Sequence, residues 1–144
     1  MRIALKCALV LAGLLAVDVA GSSVRRLTAE PDYSHDPRLL KLQEFFKLHE
    51  APAQAIATEF LRAADLNSLD WRLLPSVAII ESGGGREYTN NNILGWDSCR
   101  TEFPSVVAGV HHVAYRLSES SLYKDKSLDA KLRTYNRYPD YPKK

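Results

Sequence analysis

Disulfide chemistry is the first thing this chain does without. It has two cysteines, Cys7 and Cys99, and Cys7 falls in an N-terminal stretch that reads as removable. Cys99 would then stand alone, so no intramolecular bridge staples the domain. A small buried residue in a loop is its expected role, with a reactive thiol as the other reading. Charge of one sign is also missing: the formal net charge is +2 over 144 residues. No Lys/Arg block is present and the aromatics are not interleaved with basic residues, which argues against nucleic acid as a partner. There is no Gly-rich phosphate loop, no Gly-x-Ser-x-Gly elbow and no Cys–His nucleophile pattern. His111 and His112 are adjacent, so on a helix they point about 100° apart and cannot readily share one ion. No third ligand accompanies them, and neither a metal nor a cofactor is expected. Internal repeats are absent. So is an apolar run of membrane-spanning length, because the longest, Cys7 to Val17, has 11 residues and meets Asp18.

That run sits behind Arg2 and Lys6 and ahead of Ala20, Gly21 and Ser22, the pattern of a secretory signal peptide. Residues 1–22 are therefore read as the signal. Cleavage is expected after Val19-x-Gly21 or Ala20-x-Ser22, and the protein would be secreted or periplasmic with no stable membrane span after processing. An uncleaved anchor is the competing reading. Cys7 lacks a Leu-x-Gly before it and is not read as a lipid-attachment site. Processing would leave 17 of the 19 basic and 16 of the 17 acidic residues, a net charge of +1. Residues 23–35 show no hydrophobic period and predict a flexible leader. Residues 36–144 suffice for one domain with one core, expected to be a monomer.

The domain reads as mainly α. Asp36-Pro37 supplies a helix cap followed by a proline at the first helical position, and Leu39, Leu42, Phe45 and Phe46 follow as one stripe. Pro52 opens a second helix with Ile56, Phe60 and Leu61 facing in, broken at Asn67-Ser68. Asp70 is the expected cap of a third, with Pro75 in its first turn. Gly83-Gly84-Gly85 ends it, since glycine tolerates the left-handed C-terminal conformation. Residues 86–103 predict a polar loop with at most one short hairpin. Ser105 caps a fourth helix whose stripe is Val107, Val110, His111, Ala114 and Leu117. A fifth is expected from Asp125 to Leu132, then a Pro- and Tyr-rich closing segment from Tyr135 to Tyr141.

The most informative residue is Glu81. It ends the apolar stretch Leu73-Leu74-Pro75-Ser76-Val77-Ala78-Ile79-Ile80, directly before Ser82 and the triple glycine. Apolar neighbours penalise a charged carboxylate, and so do the unpaired carbonyls at a helix C-terminus. Both favour the protonated acid, which is what a general acid needs.

Three short motifs then fall in order: Glu81-Ser82-Gly83, Asn91-Asn92-Ile93-Leu94-Gly95-Trp96 and Tyr135-Asn136-x-x-Pro139-x-Tyr141. Together they resemble the lysozyme-like glucosaminidases, the bacterial endo-β-N-acetylglucosaminidases and related lytic transglycosylases that cut peptidoglycan. The resemblance runs from about Pro52 to Pro142. It implies a lysozyme-like small helical domain with peptidoglycan glycan strands as partner. It makes Glu81 the acid that protonates the glycosidic oxygen, with Ser82 orienting it. Tyr135 would stabilise the reacting centre, and Asn91, Asn92, Trp96 and Asn136 would line the sugar cleft. The chemistry of the side chains suits that cast, since amides read N-acetyl groups and an indole offers a pyranose an apolar face. Each also has a plainly structural role open to it: Glu81 as a solvated helix end, Ser82 as a local cap, the asparagines as turn formers, Trp96 and Tyr135 as packing.

A second carboxylate is not singled out. Paired-acid hydrolysis needs one roughly 5–10 Å from the first, and Glu87, Asp97, Glu102 and Asp140 are candidates. Without one, the substrate's own N-acetyl group could assist attack by water, or the sugar could cyclise as in transglycosylases. The expectation is a glycosidase of one of these kinds; the alternative is a catalytically silent peptidoglycan-binding module.

Overall fold

In the computed structural model, residues 30–136 are described, and they contain five α-helices and no strand. The expected signal at 1–22, most of the leader, and Pro139, Asp140 and Tyr141 of the closing segment lie outside them. The helices are α1 (Pro37–Leu48), α2 (Ala57–Leu66), α3 (Leu73–Ser82), α4 (Val106–Glu119) and α5 (Leu128–Tyr135). The loop between α3 and α4 is a chain of turns with a single 3-10 turn at Trp96–Cys99, so the hairpin alternative is not what forms. Its asparagines explain this. They bond to carbonyls within the loop, where a hairpin would need a cross-strand ladder.

Several helix ends follow their sequence signals. Asp36 accepts from the Arg38 amide at 2.8 Å, and Pro37 occupies the first position of α1. Ser105 accepts from the Ala108 amide at 3.1 Å at the start of α4. Asn67 ends α2. Pro52 begins a 3-10 turn, Pro52–Ile56, from which α2 continues. Asp70 caps the turn before α3 rather than the helix itself, accepting from the Arg72 amide at 3.0 Å. Pro75 is the third residue of α3, where its missing N–H has no helical acceptor to lose.

The core is built by α2 and α4, the most extensively packed pair, with α1 and α3 closing over them. Phe46, Phe60, Leu61, Leu74, Val77, Val110 and Val113 are essentially fully buried. The Phe46 and Phe60 rings meet in a tilted contact 5.2 Å apart. On α4 the inward stripe is Gly109, Val110, Val113, Ala114 and Leu117. His111 lies at its edge, with Nε2 3.0 Å from Oε2 of Glu59 on α2.

Two boundaries differ from expectation. The fifth helix begins at Leu128, capped by Ser127, because Asp125 sits in a left-handed conformation (φ 62°) that cannot start a helix. Tyr135 is thus the last residue of α5 rather than the first of a closing segment. The folded body also starts before Asp36: Tyr33, placed by sequence in the leader, is buried, and its hydroxyl donates to Asp65 at 3.1 Å.

Asp65 and Asp36 share Arg38, which lies 2.8 Å and 2.6 Å from them. Hydrogen bonds from Arg38 hold both carboxyls below the usual aspartate range, with Tyr33 adding to the effect at Asp65. A carboxyl with a lower pKa folded than unfolded stabilises the fold fully above its unfolded value, about 4. That contribution is lost as pH falls through the folded values. Arg38→Gln should therefore lose stability near neutral pH and show a flatter decline below pH 4 than the parent, in urea melts from pH 2 to 7.

Candidate active site

The apolar α3 carries Glu81 to the protein surface at its C-terminal end. Gly83 then turns the chain left-handed (φ 61°), and the Gly83 and Gly84 amides cap the Ile79 and Ala78 carbonyls at 3.0 and 2.9 Å. Glu81 is half-buried. Its carboxylate lies directly over Gly95: a Cβ added there would come 2.5 Å from Oε2 of Glu81. Gly95 is also left-handed, with φ 68°, so glycine is required twice over.

A cleft of about 620 Å³ opens at this point. Glu81, Trp96, Tyr135 and Asn136 all line it. Four of the seven residues singled out in the sequence, separated by up to 55 positions, thus meet around one opening. Trp96 forms the aromatic floor, with its ring 5.8 Å from Tyr135 and 5.9 Å from Tyr123. The Tyr135 hydroxyl donates a short hydrogen bond to the Leu94 carbonyl, tying the end of α5 to the loop.

The other three do not line the cleft. Ser82 is buried; its hydroxyl lies 2.7 Å from the Ile93 carbonyl and 3.0 Å from that of Ala78, and it accepts from the Gly85 amide at 2.9 Å. It fastens the helix end to the loop and does not orient Glu81. Asn92 is 1% exposed, its amide donating to the Trp96 and Thr101 carbonyls while its oxygen accepts from the Trp96 amide at 2.9 Å. Asn91 donates to the Phe103 carbonyl at 2.8 Å. These two asparagines hold the loop's shape through bonds to its own backbone. The physical reason is that a tightly turned loop strands many carbonyls, and asparagine amides satisfy them.

Sequence reasoning missed Arg116, Leu122 and Tyr123, which line the same cleft, as do Asp97 and Ser98. No sequence spacing placed them there; the packing of α4 and the turn after it does. Arg116 lies one turn after His112 on α4, and the His112 ring packs edge-on against Trp96 at 6.3 Å. A polar i, i+4 pair flanking the apolar stripe therefore points toward the tryptophan. Packing of the His112 ring lowers its pKa, and the Arg116 charge lowers it further. Burial raises that of the Tyr123 hydroxyl, partly offset by Arg116.

Of the candidate second acids among the described residues, Asp97 alone shares the cleft; Glu87 and Glu102 are exposed elsewhere. Asp97 pairs closely with Arg100. It begins a run of left-handed residues, Asp97, Ser98 and Cys99, with φ between 53° and 60°. Each costs roughly 1–2 kcal/mol against the right-handed form. The Asn90 amide, donating to the Cys99 carbonyl at 2.9 Å, helps hold the run in place. Cys99 itself is half-buried. Among the described residues no helix is long and apolar enough to cross a membrane.

No family model, curated protein or solved structure matches the chain.

Proposed function

We propose that this chain is an exported glycosidase on a lysozyme-like helical scaffold, cutting the β-1,4-linked amino-sugar backbone of peptidoglycan. One observation carries the reading: Glu81, Trp96, Tyr135 and Asn136 converge on a single open cleft. Glu81 protonates the glycosidic oxygen as the bond breaks. Trp96 supplies the apolar face on which a pyranose ring packs, and Asn136 supplies an amide for its polar substituents. The Tyr135 O–H donates to the Leu94 carbonyl, so toward its other neighbours its oxygen is an acceptor. That electron-rich oxygen favours positive charge developing at the anomeric carbon.

Asp97 decides the second half of the reaction. It lines the cleft but is engaged by Arg100, and no described residue holds it as a base against an incoming water. The mechanism therefore leans on the substrate: attack by its own N-acetyl oxygen followed by water, or closure of the sugar without water. The same pairing favours a second reading, a binding module that holds glycan without cutting it.

Incubating the protein with purified sacculi separates these readings. Mass analysis of the soluble fragments should give reducing ends for hydrolysis, or anhydro sugars one water lighter for transglycosylation. Sedimentation of the protein with sacculi and no released fragment across pH 4–8 would establish the binding module instead. Neither binding nor release would remove the glycan reading altogether.

A further inference from the structure

Arg116 is set apart from the other described arginines. Arg38, Arg62, Arg72, Arg100 and Arg133 each pair with a carboxylate, and Arg86 donates to the His49 carbonyl at 3.2 Å. Arg116 forms no such ion pair or side-chain hydrogen bond among the described residues, although Glu81 and Asp97 line the same cleft. It stands in the last turn of α4, on the face that His112 presents to Trp96. An exposed guanidinium on a concave wall presents a planar fork of donors matched to carboxylate. From this placement we infer that Arg116 is a specificity residue: it recognises a carboxylate carried on a substituent of the sugar bound in the cleft, and so selects an acidic amino-sugar strand over a neutral one. The inference rests on the glycosidase reading and names its substrate more narrowly.

The charge arrangement supports this selection. With Asp97 answered by Arg100, the charges on the cleft wall that form no ion pair among the described residues are Glu81 and Arg116. Arg116 is thus the cation that the cleft wall offers to an incoming anionic group. Two sources of the carboxylate are chemically equivalent: the lactyl ether of a muramic residue stripped of peptide, and a free carboxyl on an attached peptide.

The test compares the parent with Arg116→Gln and Arg116→Lys. Substrates are neutral N-acetylglucosamine oligomers, peptide-stripped glycan with free lactyl carboxylates, and peptide-bearing fragments with free or amidated stem carboxyls. In Arg116→Gln the ratio of kcat/KM on acidic to neutral strands should fall about tenfold or more, the usual weight of a charge-assisted hydrogen bond. Arg116→Lys should recover part of that ratio, and salt should weaken the parent's preference. Loss confined to peptide-stripped glycan identifies the lactyl group; loss confined to free-carboxyl stems identifies the peptide. An unchanged ratio in Arg116→Gln, with both strand types still cut, overturns the inference and leaves the glycosidase reading standing. If the parent cuts neither strand type, both fall together.

Discussion

Glu81→Gln is expected to stop fragment release from sacculi while leaving the protein folded and bound to them. The substitution keeps the shape of a side chain packed over Gly95, where a methyl group would already be too close. It removes only the proton that a general acid must deliver. Contributions of this kind are typically 100- to 10,000-fold in rate, so the variant should fall to the background of the assay. Its melting temperature should stay within about 2 °C of the parent, since a half-buried isosteric change away from the core costs little. Glu81→Asp is the sharper companion. It retains the acid but withdraws it by one methylene from the cleft, and a misplaced donor forfeits much of the same factor. Fragment release at the parent's rate by Glu81→Gln would remove Glu81 from the reaction.

How much of this was legible in the sequence depends on the range of the interaction. Caps and breaks are local, so Asp36, Pro37, Ser105 and the glycines after Ser82 declared their roles outright. The start of α5 did not. Asp125 and Ser127 are both good caps on paper, and only the left-handed backbone at Asp125 decides between them. Glu81 was legible because an acid at the end of an apolar helix is locally costly. Ser82, Asn91 and Asn92 were legible as important but not as to why: their bonds run to Ile93, Phe103 and Thr101, contacts that no spacing rule supplies. Arg116 and Tyr123 reach the cleft only through the packing of α4 and the turn after it. The cleft thus combines a locally encoded acid with a wall assembled by tertiary folding.

Asn92→Ala should have the largest effect on the loop itself. The Asn92 side chain is buried and satisfies three backbone groups: the Trp96 amide at 2.9 Å and the carbonyls of Trp96 and Thr101 at 2.9 and 3.1 Å. Truncation leaves those groups without their partner and opens a void. A buried group left unsatisfied costs about 1–3 kcal/mol, and solvent entering the void recovers part of it. A net loss of about 3 kcal/mol is expected in urea melts. Catalysis should suffer more than stability alone requires. Asn92 is what anchors Trp96, and Gly95, between them, supports the Glu81 carboxylate. It also opposes the tendency of Asp97, Ser98 and Cys99 to relax from their left-handed conformations. Asn92→Ala should therefore lose glycan cleavage even at temperatures where circular dichroism shows it fully folded. Asn92→Asp keeps the acceptor for the Trp96 amide but sets a carboxylate against two carbonyls, so it should fare no better. If Asn92→Ala cut glycan normally while folded, the loop would not be what positions the acid, and α3 alone would have to do so.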